Sequence, residues 1–157
     1  MAKVQVRTTA NMKTADGVPL LAEEIPAKIL DAMLRAEADV VEPEIVKNAD
    51  VMLHGKYWTG TTAGAVTRKK PEYAKASDGT KVRQMLITFT GVRADKYHNP
   101  ARSKEKDRRN AAIAFINEYG ARTMGPRPFM SKAVDDKEHE AQNAGEAVFG
   151  AWAEKNT

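Results

Sequence analysis

The chain has 157 residues, 42% of them apolar and 29% charged, and no cysteine. That composition suits one folded domain and excludes disulfides, thiolate chemistry and cysteine-bound metals. The formal net charge is +4, no apolar run nears the roughly 18 residues that cross a bilayer, and no secretory signal is expected from a basic N-terminus without an apolar centre.

Val4 and Val6 alternate with Gln5 and Arg7, as in a short strand. Asn11, Asp16, Gly17 and Pro19 then mark a loop. Residues 1–22 are expected to form an N-terminal arm that is mobile or orders against a neighbour, ahead of a domain spanning 23–157. From Pro26 to His54 the pattern is helical, with Leu30, Leu34, Val41, Ile45 and Met52 on one stripe. Glu23 and Glu24 favour its N-terminus. Pro43 removes a hydrogen bond and crowds the preceding turn, so a bend is expected there.

Gly55 and Gly60 have the spacing of a phosphate-binding loop, but no lysine follows Gly60. Without that cation the segment reads as a turn packed by Tyr57 and Trp58. Val66–Lys70 is a short strand ended by Pro71, and Ser77-Asp78-Gly79 is a turn. Val82–Thr90 is the clearest strand, with Met85, Ile87 and Phe89 on one face. Ala112–Tyr119 reads as a second good strand, with Ile113, Phe115, Asn117 and Tyr119 alternating. A stiff turn follows, rich in glycine and proline, which presents Phe129 and Met130 at the start of a last helix over Ser131–Lys155. Ser131 is its expected cap, Asp135 and Asp136 suit its first turn, and Val134, Ala141, Gly145, Val148 and Trp152 form its stripe.

Residues 91–110 join the two good strands and hold Arg93, Lys96, Arg102, Lys104, Lys106, Arg108 and Arg109 against three acidic residues. Their net +4 equals that of the whole chain, so the remainder is neutral. Twenty residues is long for such a connection, and long loops are usually functional or mobile. The segment reads as a solvated loop or as a surface that tracks a phosphate backbone; repeated around an axis, it would form a positive collar. His54, His98 and His139 have no partner at metal-ligand spacing, and no serine stands in a nucleophile turn. Neither an enzyme nor a metal or cofactor is expected. The elements together give an α+β fold: a small antiparallel sheet packed against a long N-terminal helix and a C-terminal helix, with a long basic loop between two central strands.

The order of these signals resembles a known family. An N-terminal helix is followed by Thr59-Gly60, two strands, Glu118-Tyr119-Gly120, and the turn Met124-x-x-Arg127-Pro128-Phe129-Met130 before a closing helix. This is similar to the head–tail joining, or tail-completion, proteins of tailed bacteriophages, the "gene ten"-like tail components. The resemblance covers about 23–155 and is most specific over 113–134. The 91–110 connection is longer than the family's, the leucine and arginine common after the Thr-Gly step are missing, and residues 1–20 have no counterpart.

The resemblance implies a structural virion protein of the neck, assembled in the host cytoplasm. It would form a homo-oligomeric, hexameric ring between a connector or head-closure ring and the tail terminator or tail tube, around passing DNA and apart from membranes. Arg93, Lys96, Arg102, Lys104, Lys106, Arg108 and Arg109 would face the DNA channel or an acidic partner ring. Met124, Arg127, Pro128, Phe129 and Met130 would pack the core or a subunit seam, with Arg122 and Arg127 at that seam. A small basic nucleic-acid-binding protein acting alone, or a tail terminator, is the alternative.

Overall fold

The computed structural model describes residues 3–7, 12, 19–53, 60–91 and 109–156. Strand β1 (Val4–Arg7) and a short 3-10 turn (Ala22–Glu24) precede the long helix α1 (Ala27–Met52). After α2 (Thr61–Gly64) come strands β2 (Val66–Arg68), β3 (Glu72–Lys75) and β4 (Lys81–Phe89), then helices α3 (Asn110–Tyr119) and α4 (Phe129–Asn156). The fold is α+β, with a four-stranded antiparallel sheet and with α1 and α4 packed together.

Strand β4 organises the sheet because it is the longest and the most apolar. β1 and β2 flank it, and β3 pairs with it as well. β2 takes its C-terminal end, in the register Val66↔Phe89 to Arg68↔Ile87. β3 takes its N-terminal end, in the register Glu72↔Gln84 to Lys75↔Lys81. The expected turn at Ser77-Asp78-Gly79 closes that hairpin. The Ala76 and Gly79 amides donate to Thr80 and Ala76 carbonyls, the Thr80 amide donates to Asp78 Oδ1 at 2.9 Å, and Gly79 takes φ +86°.

The sequence reading had a turn where α2 lies and no strand at β3, and it gave one element the wrong kind. Residues 112–119 are helical, so the basic connection runs from a strand to a helix and not between two strands. The alternation of Ile113, Phe115, Asn117 and Tyr119 looked strand-like. Ala111, Ala112 and Ala114 are strong helix formers, however, and Ala111, Ala114 and Glu118 are buried at helical spacing. Pro43 lies inside a helix that is not split, on an exposed position.

The chain forms two compact units. The first is Met1–Val4, Glu42–Arg68 and Ile87–Asp136; the second is Gln5–Val41, Lys69–Leu86 and Lys137–Thr157. Helices α1 and α4 and strand β4 each contribute a length to both. In the first unit Phe129 is fully buried and packs edge-on against Phe89, with ring centroids 6.0 Å apart. There the buried Asn48 amide donates to the Phe129 carbonyl at 3.2 Å, tying α1 to the start of α4, and Arg68 pairs with Glu42.

In the second unit Met12, Leu20 and Ala22 of the N-terminal arm pack into the fold. Met12, Ala22, Ile25, Leu30, Met33, Phe149 and Ala153 make one apolar cluster, with Leu20 and Trp152 packed on it. The Leu20 amide donates to the Met12 carbonyl at 2.8 Å. Arg83 holds Asp31 of α1 with two bonds, at 2.8 and 3.2 Å. Along α4 the buried line is Ala141, Gly145, Phe149 and Ala153, while Val148 and Trp152 flank it half-buried. Gly145 meets α1 so closely that Glu37 lies against it. Burial, and then the charge of Glu146, push the Glu37 carboxyl up to about 7.

Candidate functional site

Helix α3 and the turn after it, both in the first unit, carry the 113–134 motif singled out from the sequence. The helix begins where the long basic connection ends. The Asn110 amide donates to the Gly91 carbonyl at 3.0 Å, and its side chain donates to the Thr90 carbonyl at 2.9 Å, so the two ends of that connection are stapled together. Gly91 meets the staple with φ +76°. Arg109 is the N-cap, and its carbonyl accepts the first helical bonds from Ala112 and Ile113.

Glu118, near the other end, is buried and has a definite task. Its carboxylate accepts from the Met130 amide at 2.8 Å, from the Ser131 amide at 2.9 Å and from the Ser131 hydroxyl. These amides belong to the first turn of α4, whose donors have no partner within the helix. A negative charge there also opposes the positive end of the helix dipole. The cap therefore comes from a separate helix, and Ser131, expected as the cap, sits within the first turn and is itself held by Glu118.

Gly120 ends α3 with φ +82°, its amide donating to the Ile116 carbonyl at 2.8 Å. A Cβ at this position would lie 3.0 Å from the Met124 carbonyl oxygen and 3.0 Å from the Pro126 nitrogen, so only glycine fits. Ala121 and Met124 then bridge each other, and the Arg127 amide returns to the Asn117 carbonyl at 2.6 Å. The turn folds back along α3 and delivers Phe129 and Met130 into the core. Tyr119 to Pro126 line an open hollow of about 550 Å³ on its outer side.

The outer face of α3 is unusual. Phe115 is 43% exposed, Ile116 40% and Tyr119 62%, and the rings of Phe115 and Tyr119 lie 4.9 Å apart. The helix thus buries Asn110, Ala111, Ala114 and Glu118, half-buries Ile113, and leaves Phe115, Ile116 and Tyr119 outside.

Of the residues singled out from the sequence, Phe129 and Met130 are buried, Met124 and Arg127 are half-buried, and Pro128, Arg122 and Arg109 are exposed. Gly60 caps α2 with φ +76°. Arg93, Lys96, Arg102, Lys104, Lys106, Arg108, His54, Tyr57, Trp58, Thr59 and His98 lie outside the described residues. The sequence reading missed the outward stripe of Phe115, Ile116 and Tyr119. A helical period applied to 110–119 would have shown it. Among the described residues no group of His, Asp and Glu has metal-binding geometry, and no helix is long and apolar enough to cross a membrane. No known family, curated protein or solved structure matches the chain.

Proposed function

We propose that this protein is a structural component of a bacteriophage neck that assembles as a ring at the head–tail junction and surrounds the DNA passage. The observation that carries the reading is the motif over 113–134, in the order found in head–tail joining proteins. Its members have interlocking physical roles here: Glu118 caps α4, Gly120 makes the turn, and Phe129 anchors it. The bare apolar face of α3 supports the same reading, because an assembly subunit must bury side chains between copies as well as within one.

The ring works by shape and charge. The cations of 91–110 contact passing DNA or an acidic neighbouring ring, and such phosphate contacts are sequence-blind and weaken steeply with salt. The test is to image purified particles and probe them with an antibody to this chain. Signal at the collar is expected, and particles without this protein overturn the proposal. A lone nucleic-acid-binding protein would instead show full DNA affinity by itself and be absent from particles.

A further inference from the structure

We propose that the hollow lined by Tyr119–Pro126 holds one nucleotide of single-stranded DNA, with its base against the Tyr119 ring and its phosphate on Arg122. This deepens the DNA contact proposed above and rests on that reading for the choice of DNA. It leaves Phe115 and Ile116 for the contact between copies.

The first observation is a ready-made concavity. The hollow holds about 550 Å³, a size typical of small-ligand sites. Its wall is fixed. Gly120 turns the chain with φ +82°, Ala121 and Met124 exchange two backbone bonds at 2.8 and 3.1 Å, and the Arg127 amide is tied to the Asn117 carbonyl. A site that is already shaped loses little entropy when it is filled.

The second is the donor set. Arg122 and Arg127 have no ion-pair partner among the described residues. The Arg122, Thr123 and Gly125 amides make no hydrogen bond among those residues. Glu118 is the sole acid between Arg109 and Val134, and it is buried, with its carboxylate taken up by the start of α4. The wall therefore offers amide N–H groups and a guanidinium with no exposed carboxylate, the chemistry that holds an anion.

The third selects which anion. Tyr119 is 62% exposed at the edge of the hollow. The Phe115 ring lies against it, with centroids 4.9 Å apart and planes tilted by 53°, and steadies the Tyr119 ring without covering it. Inorganic phosphate or an acidic peptide supplies the charge and leaves that ring bare. A nucleotide supplies both a phosphate and a flat base to stack. At the other end of α3, about 15 Å away, Arg109 stands where the basic connection joins the helix. The next phosphates of a strand thus meet further cations. A duplex keeps its bases stacked on one another and has no free face for Tyr119, so this site takes the single strand.

The test uses the full chain and a fluorescent oligothymidylate of about twelve nucleotides, with iodouracil in place of one thymine. Ultraviolet crosslinks from iodouracil to Tyr119 are expected. Crosslinks only to other residues, 54–59 and 92–108 included, overturn the site. By anisotropy, Tyr119→Ser should weaken single-strand binding at least about fivefold and leave duplex binding unchanged, whereas Tyr119→Phe should keep the wild-type affinity to within about twofold. An equal loss for strand and duplex overturns base stacking. Arg122→Gln should lower the log–log salt slope for the strand by about 0.7; an unchanged slope overturns the phosphate contact. Urea midpoints of these variants should match the wild type, because both side chains are exposed. Displacement of the oligonucleotide from Tyr119 by polyglutamate at matched charge assigns the hollow to an acidic protein and overturns the proposal. Crosslinks to Tyr119 in a chain absent from particles refute the neck reading and leave the site. A chain found at the collar that does not crosslink there refutes the site and leaves the neck reading.

Discussion

Replacing Glu37 by glutamine should make the protein more stable at alkaline pH and remove much of its pH dependence between 5 and 8. Glu37 is 9% exposed, against the backbone of Gly145, and its carboxyl is raised from 4.5 to about 7 by burial first and Glu146 second. The native state therefore favours the protonated acid. That preference stabilises the fold fully below the unfolded pKa of 4.5, and it is lost as pH rises through about 7. At about 1.4 kcal/mol for each pKa unit, the rise from 4.5 to about 7 is worth at most about 3 kcal/mol. Glutamine has the same shape and never ionises. Urea unfolding at pH 5, 6, 7 and 8 should give wild-type and Glu37→Gln stabilities within about 1 kcal/mol at pH 5. The difference should then widen toward about 3 kcal/mol at pH 8, in favour of glutamine. A constant difference across the range would refute the reasoning, because it would mean that the carboxyl titrates alike in both states.

Gly145→Ala would place a Cβ 2.2 Å from Glu37 Oε1; it should cost about 1–3 kcal/mol by overpacking, and clearly less in a Glu37→Ala background, as a double-mutant cycle would show. Glu118→Ala strips the cap from α4 and leaves one buried and two part-buried donors without that partner, at an expected cost of about 1–3 kcal/mol by denaturant unfolding; Glu118→Gln should recover part of it. Gly120→Ala meets both a positive φ and backbone atoms at 3.0 Å, whereas Gly79→Ala meets only a positive φ, so the first should cost more than the second by thermal melting. Phe129→Ala should cost about 3–5 kcal/mol; a variant that folds with full stability and still assembles would show that the turn neither anchors the core nor serves a seam.

Much of this protein was readable from residue order alone: the helix expected over Pro26–His54 and found at Ala27–Met52, the turn at Ser77-Asp78-Gly79, and the strand expected over Val82–Thr90 and found at Lys81–Phe89. Each is long or punctuated by residues whose dihedral preferences are strong, so local chemistry settles it. Residues 110–119 were not readable that way. A short apolar run fits both periods, and only packing, which buries Ala111, Ala114 and Glu118, selects the helix. Nor could order alone reveal that Glu118 caps a helix beginning eleven residues later, or that Glu37 lies against Gly145 more than a hundred positions away. Those pairings arise where the backbone folds back on itself, because desolvation and helix-end electrostatics depend on which groups are brought together in space.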